Sequence, residues 1–299
     1  MESKRVAVVG VGNMGSAICR RLLNSGYQVA VWNRTPGRTS VVVQLGATAA
    51  ASPKELAASH DVVITCVADG PDVEQVILGP NGVLAGTRPG LTVIECSTID
   101  PAVSKRVNDA VRAAGCRMVD AGVGGLPSDI LVGKGNFMVG ADEDDLPFVR
   151  PVLEAMGEVI LCGGPGAGIT MKVVNNLLSQ TIQAADAEAL VLGAKAGLDP
   201  RVMLRVLTSS AADNKVLRTR VPEQVLGGNY DSGFTARLAL KDQRIANEMA
   251  TRLGVPLFTL AQTKQLLTLA VAMGRGEQAV LAVAAVLEDI TGVRLSLRA

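Results

Sequence analysis

The run VAVVGVGNMGSAICRRLL, residues 6–23, constrains the fold more than any other stretch. A short apolar strand, rich in valine, meets three glycines at positions 10, 12 and 15. A helical pattern follows at once. Gly10 permits a tight turn, Gly12 lets a pyrophosphate approach the backbone, and Gly15 lets the helix pack against the strand. The free N–H groups and positive dipole end of the helix then face the phosphates. Asn13 and Met14 lie between the glycines and join them as expected cofactor contacts. A glycine triplet alone is weak evidence. Its place here, after an N-terminal strand and opening a helix, makes it specific.

The next 140 residues or so repeat the same alternation. Strand signals are RVAVVG, QVAVWN, DVVITCV, LTVIECS, RMVDAGV, NFMVGA and VILCG. Helical patterns such as GSAICRRLLNSG and PAVSKRVNDAVRAAG lie between them. From about residue 166 the strand signals stop. Helical patterns take over at 166–195, 200–208, 212–227, 235–253, 256–274 and 276–291. The expected architecture is an α/β domain over 1–163, with a largely parallel sheet, and an all-helical domain over 164–299. Gly-rich CGGPGAG at 162–168 forms the junction. A chain of 299 residues has room for about two domains of that size.

Composition removes several function classes. Aromatic residues make up 2% of the chain and the net charge is +1, so neither base stacking nor a basic surface points to nucleic acid. No apolar run approaches the roughly 18 residues of a membrane span. The N-terminal MESKR leads straight into the first strand, without the apolar region of a signal peptide. A cytoplasmic protein is expected. Cys19, Cys66, Cys96, Cys116 and Cys162 are scattered, with no CxxC pair, so neither a disulfide framework nor a metal site is expected. His60 is the only histidine and precedes a strand, which leaves a Ser-His-Asp triad without a natural base.

The second strand ends in Asn33-Arg34-Thr35, with Arg38 close behind and no acid at 32–38. An acid there would hold an adenosine 2′-hydroxyl and repel a 2′-phosphate. A guanidinium instead offers the phosphate paired donors. The expected cofactor is NADP in preference to NAD, held by Asn33, Arg34, Thr35 and Arg38. The other reading makes these arginines solvated loop charges. GAGITMKVVNN at 166–176 raises a second question, because it sets Lys172 and two asparagines into an apolar run. On a helix Lys172 and Asn176 lie one turn apart, with Asn175 and Ser179 on the neighbouring arc. This polar stripe begins beside the junction, where a cleft is expected. A snorkelling lysine with capping asparagines is the bland alternative.

The motifs above, together with ECST at 95–98, VDAGVGGLPSDILVGKGNFMVGAD at 119–142 and LALKDQRIANE at 238–248, stand in an order that resembles the β-hydroxyacid dehydrogenases. That group contains 3-hydroxyisobutyrate dehydrogenase and tartronate semialdehyde reductase, and the resemblance covers nearly the whole chain. It implies a Rossmann domain and a long helix leading into a helical domain like that of 6-phosphogluconate dehydrogenase. It also implies dimers or tetramers formed through the helices. Lys172 matches the family's catalytic lysine and Asn176 a substrate-contacting asparagine, with Asn175 beside it. Ser97 matches a substrate position and Thr98 one near the nicotinamide ribose. Val67, Ala68 and Asp69 should border the cofactor. Lys241 matches a lysine that contacts the cofactor or an acid group of the substrate, while Asp242 braces helix ends. The family's substrate loop reads DAPVSGG, whereas this chain has Asp120-Ala121-Gly122-Val123-Gly124-Gly125. The serine that holds the substrate carboxylate is therefore Gly124. The N–H groups of Gly124 and Gly125 can still bind an anion. What this puts in doubt is the substrate, not the hydride chemistry. Two other readings are an imine reductase of the same architecture, against which Lys172 counts, and an inactive dinucleotide-binding scaffold.

Overall fold

Valine-rich segments buried on both faces build a sheet sandwiched between helices. The computed structural model describes residues 5–231 and 233–296. The chain forms two compact units, Met1–Val173 and Val174–Ala299. The first holds strands β1 (Arg5–Val9), β2 (Gln28–Trp32), β3 (Thr48–Ala49), β4 (Val62–Thr65), β5 (Thr92–Glu95), β6 (Arg117–Gly124), β7 (Gly135–Gly140) and β8 (Gly157–Gly163). Its helices are α1 (Asn13–Asn24), α2 (Ser40–Val43), α3 (Pro53–Ser59), α4 (Gly70–Leu78), α5 (Pro101–Ala113), α6 (Pro127–Leu131) and α7 (Leu146–Glu154). The sheet order is β3-β2-β1-β4-β5-β6-β7-β8. Every pairing is parallel except β6 with β7.

Alternation along each strand gives the sheet two apolar faces. Val6, Val8, Val31 and Ile64 pack against Ile18 and Leu22 of α1. Ala7, Val9, Val63, Val93 and Met118 pack on the other side with Leu56 of α3, Ile77 of α4 and Val107 of α5. The chain runs outward from β1 to β3 and then returns to lay β4 on the opposite side of β1. This switch point opens a crevice at the carboxyl ends of β1 and β4. The seven expected strands are all present. The pair of residues in β3 gave no sequence signal and is held only by two partners on β2, Ala30↔Thr48 and Val31↔Ala49.

Helix α8 (Ala167–Lys195) is 29 residues long, and its first turns belong to the first unit. The second unit continues with α9 (Pro200–Leu207), α10 (Lys215–Thr219), α11 (Ala236–Leu253), α12 (Phe258–Ala270) and α13 (Ala282–Thr291). Its core joins Leu190, Met203, Leu217, Val225, Leu267 and Val283. The pattern at 212–227 is broken: α10 gives way to a π-helical turn at Val221–Leu226. Pro222 at its start supplies no N–H to an α-helical ladder. The last helix begins at Ala282, later than the pattern from 276 suggests.

Candidate active site

The phosphate loop has the form its spacing implies. Gly10 has φ of 98°, and a Cβ there would lie 2.2 Å from the Cys66 carbonyl oxygen. Gly15 is equally constrained, since its Cβ would meet the Gly10 carbonyl at 1.9 Å. A Cβ on Gly12 would meet no protein atom within 4 Å, which leaves open space above the helix end. Gly12 caps α1 without a side-chain bond, and the first turn carries no acid, so the terminal N–H groups of Asn13, Met14 and Gly15 suit an anion. These features fit a dinucleotide pyrophosphate.

The end of β2 divides its residues between two tasks. Asn33 braces the glycine loop: its Oδ1 accepts from the Val11 N–H at 2.9 Å and its Nδ2 donates to the Thr35 carbonyl at 2.9 Å. Arg34 donates from Nη1 to Asp72 Oδ1 at 2.6 Å, with the arginine side chain 78% exposed and the aspartate 24%. Thr35 precedes a short 3-10 turn, Pro36–Thr39, which carries Arg38 on its exposed side. Across β1, Val67 donates its N–H to Ser97 Oγ at 2.9 Å, tying the end of β4 to that of β5. Ala68 is exposed beside it, Asp69 caps α4, and Thr98 is half-buried.

One face of the sheet gathers the residues expected to do chemistry. Register pairs Thr65 with Glu95 and Glu95 with Asp120, so all three side chains share a face. Ser97 follows Glu95 by two residues, and Gly122 and Gly124 follow Asp120 at the same period. All three carboxyl-edge groups, Glu95, Ser97 and Asp120, are buried. Asp120 Oδ1 accepts from the Gly166 N–H at 2.5 Å and Oδ2 from the Ile169 N–H at 2.8 Å. The carboxylate therefore clamps the start of α8, where the helix dipole favours it. Burial pushes its pKa up, and the backbone donors at Gly166 and Ile169 oppose the shift. Lys172 stands one turn further on, 9% exposed. Its stem lies directly over Gly122: a Cβ on that glycine would come within 2.6 Å of Lys172 Cβ. Gly122 thus has a steric reason to be glycine, and the strand expected over RMVDAGV runs on to Gly124, through the start of the segment that matches the family's substrate loop. A Cβ on Gly124 would meet the Asn136 oxygen and Met138 Cε at 3.3 Å each, tight but near a flexible methionine end. Gly125 is exposed, with φ of +96°.

Glu95 is the acid with the most altered environment. Its Oε1 accepts from the Ser97 N–H at 2.5 Å, and its Oε2 accepts from Thr65 Oγ1. Complete burial pushes its carboxyl up to about 7, and the bonds from Ser97 and Thr65 restrain the rise. Neither Glu95 nor Asp120 emerges from the motifs as a site residue. Each is an acid inside an apolar strand, and that anomaly was the available signal.

The second unit holds its own polar group. Asn176 is 6% exposed and donates from Nδ2 to Asp242 Oδ2 at 2.6 Å. Asn175 is exposed and donates to Asn176 Oδ1 at 3.2 Å. Lys241 Nζ lies 3.2 Å from Asp242 Oδ1, an ion pair by distance that lacks hydrogen-bond geometry. Asp242 sits in the body of α11, 3% exposed, and holds Asn176 and Lys241 together. Bracing of helix ends understates this role. One turn beyond Asn176, Gln180 Oε1 accepts from Gln243 Nε2 at 2.7 Å in the buried interior. No group of three or more metal-binding side chains converges among the described residues. His60 follows α3, its Nδ1 3.0 Å from the Leu56 carbonyl, and burial lowers its pKa.

Two family models span nearly all of this chain. Residues 5–164 match the NAD binding domain of 6-phosphogluconate dehydrogenase. Residues 166–287 match the NAD-binding domain of NADP-dependent 3-hydroxyisobutyrate dehydrogenase. The 3-sulfolactaldehyde reductase of Escherichia coli K12 is 34% identical over 274 residues, covering 91% of this chain and 92% of the relative. The 3-hydroxyisobutyrate dehydrogenase of Pseudomonas aeruginosa is 35% identical over 266 residues, covering 86% and 89%. Among solved structures, Mycobacterium tuberculosis 3-hydroxyisobutyrate dehydrogenase with L-serine superimposes with a TM-score of 0.87 at 29% identity, over 95% of this chain and 99% of that one.

Proposed function

The chain belongs to the β-hydroxyacid dehydrogenase family and is an NAD(P)-dependent hydroxyacid dehydrogenase; on that premise we propose that it interconverts a β-hydroxy acid, or a related alcohol, with its semialdehyde or ketone, prefers NADP to NAD, and uses Lys172 as general acid and base. The observation that carries this reading is the shared face of the sheet. Ser97, Gly124 and the stem of Lys172 all lie on it, at the carboxyl edge where such sheets bind ligands. The nicotinamide ring, when bound, supplies or accepts the hydride.

Lys172 handles the proton. In reduction its Nζ gives a proton to the oxygen that becomes the alcohol. In oxidation the neutral amine takes that proton back. Asp120 and Gly122 fix the helix and the stem from which this amine hangs. For the substrate's acid group, the proposed contacts are Ser97, the N–H groups of Gly124 and Gly125, Asn175, Asn176 and Lys241. Gly124 removes a hydroxyl donor and makes room, so a bulkier or differently charged acid suits this chain. The cofactor contacts proposed are the glycine loop, Asn33 to Thr35, Arg38, Val67, Ala68, Thr98 and Lys241. Arg34 and Arg38 support the preference for NADP. That preference in turn favours the reductive direction. The functional protein is read as a homodimer or homotetramer built through its helical unit.

Replacing Lys172 with methionine keeps an unbranched side chain, one atom shorter, and removes the proton carrier. Turnover should fall by about 10²- to 10⁴-fold, the usual worth of a positioned acid–base group, with NADPH affinity within about twofold of the parent. Turnover near the parent value would end the assignment. The substrate is found by following NADPH oxidation with semialdehydes and glyoxylate, and NADP reduction with β-hydroxy acids. A cyclic imine serves as the discriminating arm.

A further inference from the structure

Arg34 meets an acid that the loop sequence around it does not contain. Asp72 comes from the first turn of α4, which follows β4, while Arg34 follows β2. In the sheet β2 and β4 flank β1, so the 2.6 Å pair reaches across the strand that ends in the phosphate loop. We infer that Asp72 is a selectivity-determining residue for the cofactor: it competes with an adenosine 2′-phosphate for the Arg34 guanidinium and so narrows the margin by which NADP is favoured over NAD. This rests on the reading of Arg34 as a 2′-phosphate ligand.

The two partners are not equally placed. Asp72 is 24% exposed and anchored on a helix whose dipole favours a negative charge in its first turn. Arg34, 78% exposed, has most of its donors in solvent. The arginine is therefore the member that can turn, and a phosphate engaging it through paired N–H groups draws it from the carboxylate. NAD lacks that phosphate and leaves the pair as it is. Exposed ion pairs are weak, which limits the effect to about three- to fivefold in affinity.

The test measures binding to the full-length chain by calorimetry, with NADP⁺, NAD⁺ and the fragments 2′,5′-ADP and 5′-ADP. Asp72→Asn should tighten NADP⁺ and 2′,5′-ADP by about three- to fivefold and leave NAD⁺ and 5′-ADP within about twofold. In an Arg34→Ala background the same substitution should gain nothing. An equal change for both cofactors, no change, or a gain that persists without Arg34 overturns the inference. Arg34→Ala alone tests the underlying reading. If it leaves the ratio of NADP⁺ to NAD⁺ affinity unchanged, the arginine does not bind the phosphate and both statements fall. If that ratio drops while Asp72→Asn does nothing, only the competition is wrong.

Discussion

Glu95 shows what a single buried carboxyl does to pH dependence. Its pKa is raised from 4.5 to about 7, first by burial. A carboxyl with a raised folded-state pKa binds its proton more tightly in the native protein than in the unfolded chain. Its contribution to stability is thus whole below about pH 4.5 and declines as pH rises through 7. The loss across that window is on the order of 3 kcal/mol. Glu95→Gln removes the titration. Glutamine can still accept from the Ser97 N–H and can donate to the Thr65 hydroxyl, so the two strand ends stay tied. Between pH 5 and pH 8, thermal melts of the parent should lose more stability than melts of the variant. Parallel curves would show that Glu95 does not change its charge state there. Asp120 raises the Glu95 pKa further, and adjacent Cys96 is held well above the usual thiol range, first by burial.

At the scale of elements, the placement of Lys172 depends on how closely α8 approaches β6. Gly168 allows that contact from the helix side, since its Cβ would lie 2.3 Å from the Met138 carbonyl. Gly122 allows it from the strand side. The resemblance puts proline at that position, so the departure is a packing feature of this chain as well as a change near the substrate. Gly122→Ala should cost about 1–3 kcal/mol by overpacking. It should also lower kcat by more than it raises KM for the cofactor, because it displaces the lysine and not the glycine loop. Urea unfolding and steady-state kinetics on one preparation would check both, and unchanged kcat would separate the lysine from this contact. The elements themselves were legible wherever information is local. Valine-rich runs marked the strands, the strand, turn and helix around the three glycines were visible in their spacing, and Lys172 stood out by its neighbours. Asp120 and Glu95 were not legible as partners, because their adjacency depends on β5 lying beside β6. Asp72 was missed for the same reason: its partner is 38 residues away.

For the whole molecule, α8 poses a problem of solvation. Its buried side carries Asn176, Gln180, Gln183 and Asp186, while Val174, Leu178 and Leu192 are 41%, 60% and 72% exposed. Within one chain these three apolar side chains face solvent. At 3.6 residues per turn, positions 174, 178 and 192 fall within about 40° of one another, with exposed Ala185 and Ala189 on the same stripe. Their long spacing makes the stripe run nearly the length of the second unit's part of the helix. Extended apolar patches on protein surfaces are typical of interaction sites. Self-association suits it better than a transient partner, because obligate interfaces between copies are the apolar ones. Light scattering behind size exclusion at micromolar concentration should therefore give at least twice the single-chain mass. Leu178→Asp with Leu192→Asp places two charges in the stripe and should shift the protein to one chain. Melting temperature should fall and become insensitive to protein concentration, since association no longer stabilises the native state. A parent protein that elutes as a single chain at the highest concentration would mean that the stripe serves something other than a second copy.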